Sequence, residues 1–363
     1  MPLPPVPARG RGARSNASGR FESLGREAFD DGWNEADLAP PALVTTLTPE
    51  HARSIIAHND SPDIGFDRSI NPYRGCEHGC IYCYARPSHA YVGLSPGLDF
   101  ESKLFFKVGA ARLLAWELAK PSYRPATIHI GGNTDPYQPA EKRLLVTRQV
   151  LEVLERTSHP FSIISKSALI ARDADLIGSM GQAGLARVAI SVTTLDRKLA
   201  RVMEPRAATP ERRLAAAATL AAAGAPVSIM FAPVIPGLND HELEDVLERA
   251  AQAGAVSAGY VVLRLPREIK DLFREWLETA VPDRAKKVMS LVRQMRGGLD
   301  YDPRWGQRMK GDGPLADIIG RRFAIARRRF GLDRPWPPLD LSRFRPPGRT
   351  SDQPDLFDTG LAT

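Results

Sequence analysis

Between residues 68 and 279 the chain alternates two hydrophobic rhythms, and this alternation narrows its possible folds more than any other feature. Short runs rich in β-branched and aromatic residues fall near 68–73, 126–131, 160–165, 186–192, 226–232 and 257–263, and each reads as a strand. Helical periodicity fits Lys107–Ala119, Lys142–Thr157, Ala171–Ala183, Pro210–Ala223, Asp240–Ala253 and Ile269–Thr279. Thr209 and Asn239 stand where caps would begin two of these helices, and Gly224 and Gly254 where they would stop. Strand starts recur every ~25–40 residues, the spacing of βαβ units. An α/β protein with a parallel sheet follows, either doubly wound or closed toward a barrel. In both, ligands meet the C-terminal ends of the strands.

The chain has three cysteines in 363 residues, and all lie in one loop, Asn71-Pro-Tyr-Arg-Gly-Cys-Glu-His-Gly-Cys-Ile-Tyr-Cys-Tyr-Ala85. Cys76, Cys80 and Cys83 form C-x3-C-x2-C. Three thiolates on a loop of this size can hold three irons of a [4Fe–4S] cluster and leave the fourth iron open to a small molecule. Gly75 and Gly79 let the loop curl. Zinc is the competing assignment, with His78 or His89 as fourth ligand, although structural zinc normally uses two separated ligand pairs. Disulfides fit poorly, because three thiols cannot all pair and loop neighbours would close strained rings.

This loop resembles that of the radical SAM superfamily. Asn71-Pro-Tyr-Arg-Gly-Cys76, Gly132-Asn-Thr-Asp-Pro-Tyr-Gln-Pro-Ala-Glu141, Ser165-Lys-Ser167, Ser191-Val-Thr-Thr194 and Ala232-Pro-Val-Ile-Pro-Gly237 resemble the subgroup related to spore photoproduct lyase. Ser61-Pro-Asp-Ile-Gly-Phe-Asp67 and Ala85-Arg-Pro-Ser-His89 resemble a bacterial branch of it. The resemblance implies a partial (β/α)6 TIM-like barrel with a flexible N-terminal arm and a C-terminal basic extension. It also implies a [4Fe–4S] cluster whose open iron takes S-adenosylmethionine (AdoMet), with the electron supplied by a flavodoxin, a ferredoxin or a reductase. Reductive cleavage of AdoMet would then give a radical that abstracts hydrogen from a substrate carbon.

The same resemblance assigns residues. In the turn Asn133-Thr134-Asp135, Asn133 stands where a glutamate is usual, and a backbone oxygen, Thr134 or Asp135 would meet the methionyl ammonium; Lys166 would meet the carboxylate, Ser191 the same ligand or its ribose, and the backbone from Ala232 the adenine. Tyr82 and Tyr84 flank the third cysteine, and Tyr84 matches the position lying over adenine. The lyase uses a further cysteine as hydrogen donor. This chain has none to spare, so Tyr84, or Tyr137, becomes the candidate catalytic relay. From the residues alone, Glu204 and Arg206 in the loop after the fourth strand form either a charge pair that shapes the ribose or substrate pocket or a simple surface ion pair. Read without the resemblance, Asp135-Pro136-Tyr137 is a turn, Lys166 a surface lysine and the tyrosines core packing.

Composition adds limits. No apolar run approaches about 18 residues, so no membrane span is expected. The proline-punctuated start, Met1-Pro-Leu-Pro-Pro-Val-Pro, lacks a signal peptide's apolar core, and the expected location is cytoplasmic. Residues 264–349 hold 21 Lys+Arg against 11 Asp+Glu, a local charge of 21 − 11 = +10 in a chain whose total is +7. Arg321, Arg322, Arg327, Arg328 and Arg329 surround Phe323 and Phe330 as a basic amphipathic helix, which is either a phosphate-binding face for nucleic acid or a solvated one. The expected organisation is a mobile arm over 1–45, the barrel over 46–280, a helical basic extension over 281–334 and an extended tail over 335–363. Two functions compete: a radical SAM enzyme, with nucleic acid the leading substrate class, and an iron–sulfur redox-sensing nucleic-acid-binding protein without radical chemistry.

Overall fold

All six strand-like runs become neighbouring parallel strands of one sheet. The computed structural model describes residues 10–22, 43–336 and 338–348. Its strands are β1 (Thr46–Glu50), β2 (Ile56–His58), β3 (Arg68–Ile70), β4 (Tyr73–Arg74), β5 (Lys103–Lys107), β6 (Ile128–Ile130), β7 (Phe161–Ser165), β8 (Ala186–Ser191), β9 (Val227–Val234) and β10 (Ser257–Val262). Its helices are α1 (Leu98–Ser102), α2 (Ala110–Leu118), α3 (Glu141–Leu144), α4 (Val146–Arg156), α5 (Ala174–Gln182), α6 (Arg197–Met203), α7 (Pro210–Ala222), α8 (Leu243–Gln252), α9 (Ile269–Ala280), α10 (Pro282–Gln294) and α11 (Pro314–Arg329).

The large sheet runs β10-β9-β8-β7-β6-β3-β2. Only β2, at its edge, is antiparallel. From β3 to β10 the spatial order follows the chain without reversal, so the sheet has no doubly wound switch point. Period-two alternation divides its faces. Ile128, Ile130, Phe161, Ile163, Val188 and Ile190 are fully buried among the apolar residues of the helices. On the other face His129 Nδ1 lies 2.9 Å from the Ser162 hydroxyl, and Phe66 stacks on the His129 ring with centroids 4.1 Å apart. A second, small sheet, β1-β5-β4, carries the cysteine loop on its β4 end.

Several boundaries depart from the sequence expectation. Lys142–Thr157 is two helices, α3 and α4, because Leu145 adopts φ 55° between them. The buried Glu141 carboxylate explains the break: it accepts the Thr147 and Arg148 N–H groups at 2.9 and 3.2 Å, where the positive end of α4 favours an anion. Asn239 stands at the N-cap position of a 3-10 turn, Asp240–Glu242, that leads into α8 at Leu243, but its side chain makes no cap bond. It bonds Ile235 N, Thr193 O and Pro233 O instead.

The terminal segments also differ. Residues 10–22, read from composition as part of a mobile arm, are packed: Ala13 is fully buried and Arg11 is 5% exposed. Their order comes from distant polar partners that no local pattern reveals. In the 335–348 part of the extended tail, proline prevents regular structure, yet the segment docks. Asp340 and Arg345 N–H groups bond Gly184 O and Thr157 O at 3.0 and 2.8 Å, and Phe344 packs against His159 and Tyr123. The remaining parts of the arm and tail lie outside the described residues.

Helix α11 packs on α8 through the Arg322–Glu244 pair, and Asp333 just beyond it bridges to Ser257 at the start of β10. Arg327, Arg328 and Arg329 therefore sit at the N-terminal ends of the strands, opposite the cysteine loop.

Candidate functional site: the cysteine loop and the strand ends above it

The cysteine loop leaves β4 and is anchored on several sides. Cys76 N–H donates to Phe100 O at 2.9 Å, and Ile81 N–H to Met203 O at 3.0 Å. Gln138 clasps the loop with both ends of its amide, accepting Glu77 N–H at 2.9 Å and donating to Gly75 O at 3.1 Å. Gly75 has φ 75°, and a Cβ there would lie 2.7 Å from the Leu104 side chain and 2.9 Å from His89. Only glycine fits this approach.

Beneath the loop lies an ion pair that sequence reading missed. Arg86 and Glu101 are both fully buried and joined at 2.5 Å. The Arg86 guanidinium also donates to the carbonyls of Cys80, Gly79, Pro96 and Gly97 at 2.9 to 3.1 Å. Glu101 accepts the Gly12 and Ala13 N–H groups at 2.9 and 2.8 Å. The N-terminal segment is thus tied through one carboxylate and one guanidinium to the backbone between the cysteines. Arg86 belongs to a quoted motif, but Glu101 carries no sequence signal, since its partners are 15 and 88 or more residues away.

Burial pushes the Cys76 and Cys80 thiols well above their ordinary value; next come the neighbouring Asp135 charge for Cys76 and Glu204 for Cys80. Burial also raises Cys83, opposed by the Ala85 N–H and the Arg86 charge. Such thiols become thiolates when a metal takes the proton's place. The donor set, three soft sulfurs on one loop, fits an iron–sulfur cluster. The fourth ligand that zinc would require finds no support. His78 Nδ1 faces Asp135 at 3.3 Å, and His89 Nε2 bonds Lys103 O at 2.9 Å.

At the C-terminal ends of β7, β8 and β9 three expected residues meet. Lys166 Nζ donates to the Ser191 hydroxyl at 2.7 Å, which donates in turn to Ala232 O at 3.1 Å. Burial pulls the Lys166 pKa down, while the Cys80 and Asp135 charges oppose this. Among the described residues Lys166 has no ion-pair partner.

The Asn133–Asp135 turn is less open. Burial alone would raise Asp135, but His78, the Lys166 N–H and the Ser165 hydroxyl hold it down at about 2. Its oxygens accept Tyr137 N, Ser165 Oγ and Lys166 N at 2.7 to 2.9 Å, so the carboxylate is committed to joining β6 to β7. Thr134 is also turned inward, to Tyr73 O at 3.1 Å, whereas the Asn133 amide reaches Ser88 at 3.3 Å.

The tyrosines separate. Tyr82 is buried, with its hydroxyl against Thr193 at 3.0 Å and donating to Glu204. Its ring centroid lies 5.7 Å from Lys166 Nζ. Tyr84 is 45% exposed, and its hydroxyl donates to Gly132 O. Tyr137 is fully buried with its hydroxyl on Asp173 at 2.8 Å, so it packs inside rather than serving as a relay at the loop. Glu204 does not pair with Arg206 either. It joins the buried Arg213, while Arg206 lies 3.4 Å from Glu77.

Comparison with known proteins bears on the family and the fold. Residues 70–250 match the model of the Radical SAM superfamily. An uncharacterised protein of Mycobacterium tuberculosis is 37% identical over 231 residues, covering 63% of this chain and 68% of that one. One from Methanocaldococcus jannaschii is 28% identical over 173 residues, 48% of this chain and 62% of its own. Among solved structures, spore photoproduct lyase complexed with dinucleoside spore photoproduct superposes with a TM-score of 0.56 at 14% identity, over 78% of this chain and 79% of that one. At that identity the likeness concerns the fold. With the family model spanning the cysteine loop through β9, the chain belongs to the radical SAM superfamily.

Proposed function

We propose that this protein is a cytoplasmic radical SAM enzyme with a partial (β/α)6 barrel, holding a [4Fe–4S] cluster on Cys76, Cys80 and Cys83 and AdoMet along Lys166, Ser191 and Ala232. One observation carries the AdoMet assignment: Lys166 is a partly buried cation with one hydroxyl partner and, among the described residues, no carboxylate. A charge taken out of water without a counterion is costly, and the methionyl carboxylate supplies one. When bound, the cluster supplies the electron that breaks the AdoMet C–S bond, with a flavodoxin, ferredoxin or reductase as its source. The chain's own residues orient the ligand and exclude water. Tyr84, exposed beside the third cysteine, is the residue we assign to hydrogen relay. No helix among the described residues is long and apolar enough to cross a membrane.

Lys166→Ala is expected to weaken AdoMet binding by about 10- to 150-fold, since a charge-assisted contact is worth about 1.5–3 kcal/mol, and to leave iron content unchanged. Titration of the cluster's EPR signal measures it, and wild-type affinity in the variant would refute the assignment. A redox sensor would form no 5′-deoxyadenosine with AdoMet and dithionite; the enzyme forms it.

Nucleic acid remains the substrate class we propose, contacted through residues 264–349. Affinity for a DNA or RNA duplex should then fall with salt at a log–log slope near −0.9 per phosphate neutralised. Because Arg327, Arg328 and Arg329 lie at the far end of the sheet, replacing all three by Gln should reduce affinity and slope without changing AdoMet binding. A flat salt response would exclude this face as a phosphate contact.

A further inference from the structure

We infer that Arg264, at the C-terminal end of β10, is a substrate-positioning residue that receives an oxyanion, phosphate or carboxylate, beside Tyr84. This rests on the radical SAM reading above and adds a chemical requirement for the substrate.

Arg264 is partly buried, and the buried arginines among the described residues are held by oxygen, Arg11 by Glu101 O, Leu43 O and the Thr45 hydroxyl. Arg86 has four carbonyls and Glu101. Arg213 has Ala208 O, Ser191 O and Glu204. Arg296 bonds Gln307 O and Leu263 O at 2.8 and 2.9 Å. Arg264 differs. Its Nε is buried without a hydrogen-bond partner, and its Nη1 reaches only the Met309 thioether at 3.5 Å. Among the described residues no carboxylate lies within ion-pair distance of it. The guanidinium stands over the Tyr84 ring at 5.0 Å from the centroid, so its position is set by an aromatic face that satisfies none of its five N–H donors.

The frame around it is rigid. Val262 N–H bonds Met309 O at 2.8 Å, and Arg296 ties Leu263 to Gln307. Asp63 accepts Gly306 N–H at 2.7 Å and pairs with Arg308, whose other arm reaches Ser61. The Ser61–Asp67 motif thus braces the loop behind Arg264; Asp63 is ion-paired with Arg308 and acts on Arg264 only as a more distant charge. The result is a braced fork next to Tyr84 with no direct carboxylate partner among the described residues. Lys166 is a separate cation, with β8 and β9 between β7 and β10, about 14 Å along the sheet at the usual strand spacing. One methionyl carboxylate served by Lys166 leaves Arg264 for an anion on the other partner in the reaction.

The test uses reconstituted, AdoMet-loaded protein titrated calorimetrically with inorganic phosphate and, separately, acetate. Wild type is expected to bind at least one of them, and whichever binds tighter identifies the oxyanion. Arg264→Gln should lose at least tenfold in that affinity, Arg264→Lys should lose part, because the charge remains without the fork, and Arg249→Gln, on the exposed face of α8, should match wild type. No uptake of either anion by wild type, or equal uptake by Arg264→Gln, overturns the inference. AdoMet affinity, read in parallel by EPR, separates the two readings. Loss of AdoMet binding in Arg264→Gln alone would move this residue to the cofactor and also overturn the inference, whereas absence of AdoMet binding in wild type would refute the enzyme reading itself.

Discussion

Alanine at Cys76, Cys80 or Cys83 is expected to abolish cluster retention singly, whereas wild type reconstituted without oxygen takes up about four irons and four sulfides. The chain has no fourth cysteine to substitute, and His78 and His89 face Asp135 and Lys103 O. Two thiolates cannot replace three on a cluster whose fourth iron has no protein ligand. The folded sheet should survive, because its main core contains none of the cysteines. Iron and sulfide analysis with circular dichroism checks both halves. Stoichiometric zinc in protein purified without oxygen, with no iron uptake on reconstitution, would overturn the cluster.

The second large effect is expected at Arg86. Arg86→Ala leaves the fully buried Glu101 charge without its cation, a change that costs about 3–5 kcal/mol. It also frees the carbonyls of Gly79 and Cys80, between and at the cluster-binding cysteines, so iron retention should fall although all three thiols remain. Pairing Arg86→Met with Glu101→Leu removes both charges. That double variant should regain much of the lost stability without regaining iron, because the N–H groups that held the loop are still missing. Melting temperature and iron content, measured on the same preparations, separate the two effects. Full iron and an unchanged melting temperature in Arg86→Ala would show that the pair does not hold the loop.

Local chemistry made some features legible and hid others. The six strands could be read as short β-type runs between helical ones, and β7 shows period two outright, burying Phe161 and Ile163. The cysteine spacing could be read because it lies within eight residues. Lys166, Ser191 and Ala232 stood out through resemblance, and parallel order then brought them together at three adjacent strand ends. The polar partners of Glu101, Glu204 and Asp63 could not be read. Each lies far along the chain or among several candidates, as when Glu204 took Arg213 rather than Arg206 two residues away.

By itself the sequence determined that this chain is a parallel α/β protein with three thiols gathered on one loop, because alternation and spacing act over a few residues and survive without knowledge of the rest. Only the tertiary structure decided that residues 10–22 are packed, that Tyr137 is buried on Asp173, that the basic end of α11 lies opposite the cysteines, and that Arg264 stands over Tyr84 with no oxygen partner among the described residues. Those outcomes depend on which buried charges find counterions across the fold, and that is settled by three-dimensional proximity rather than by neighbours in sequence.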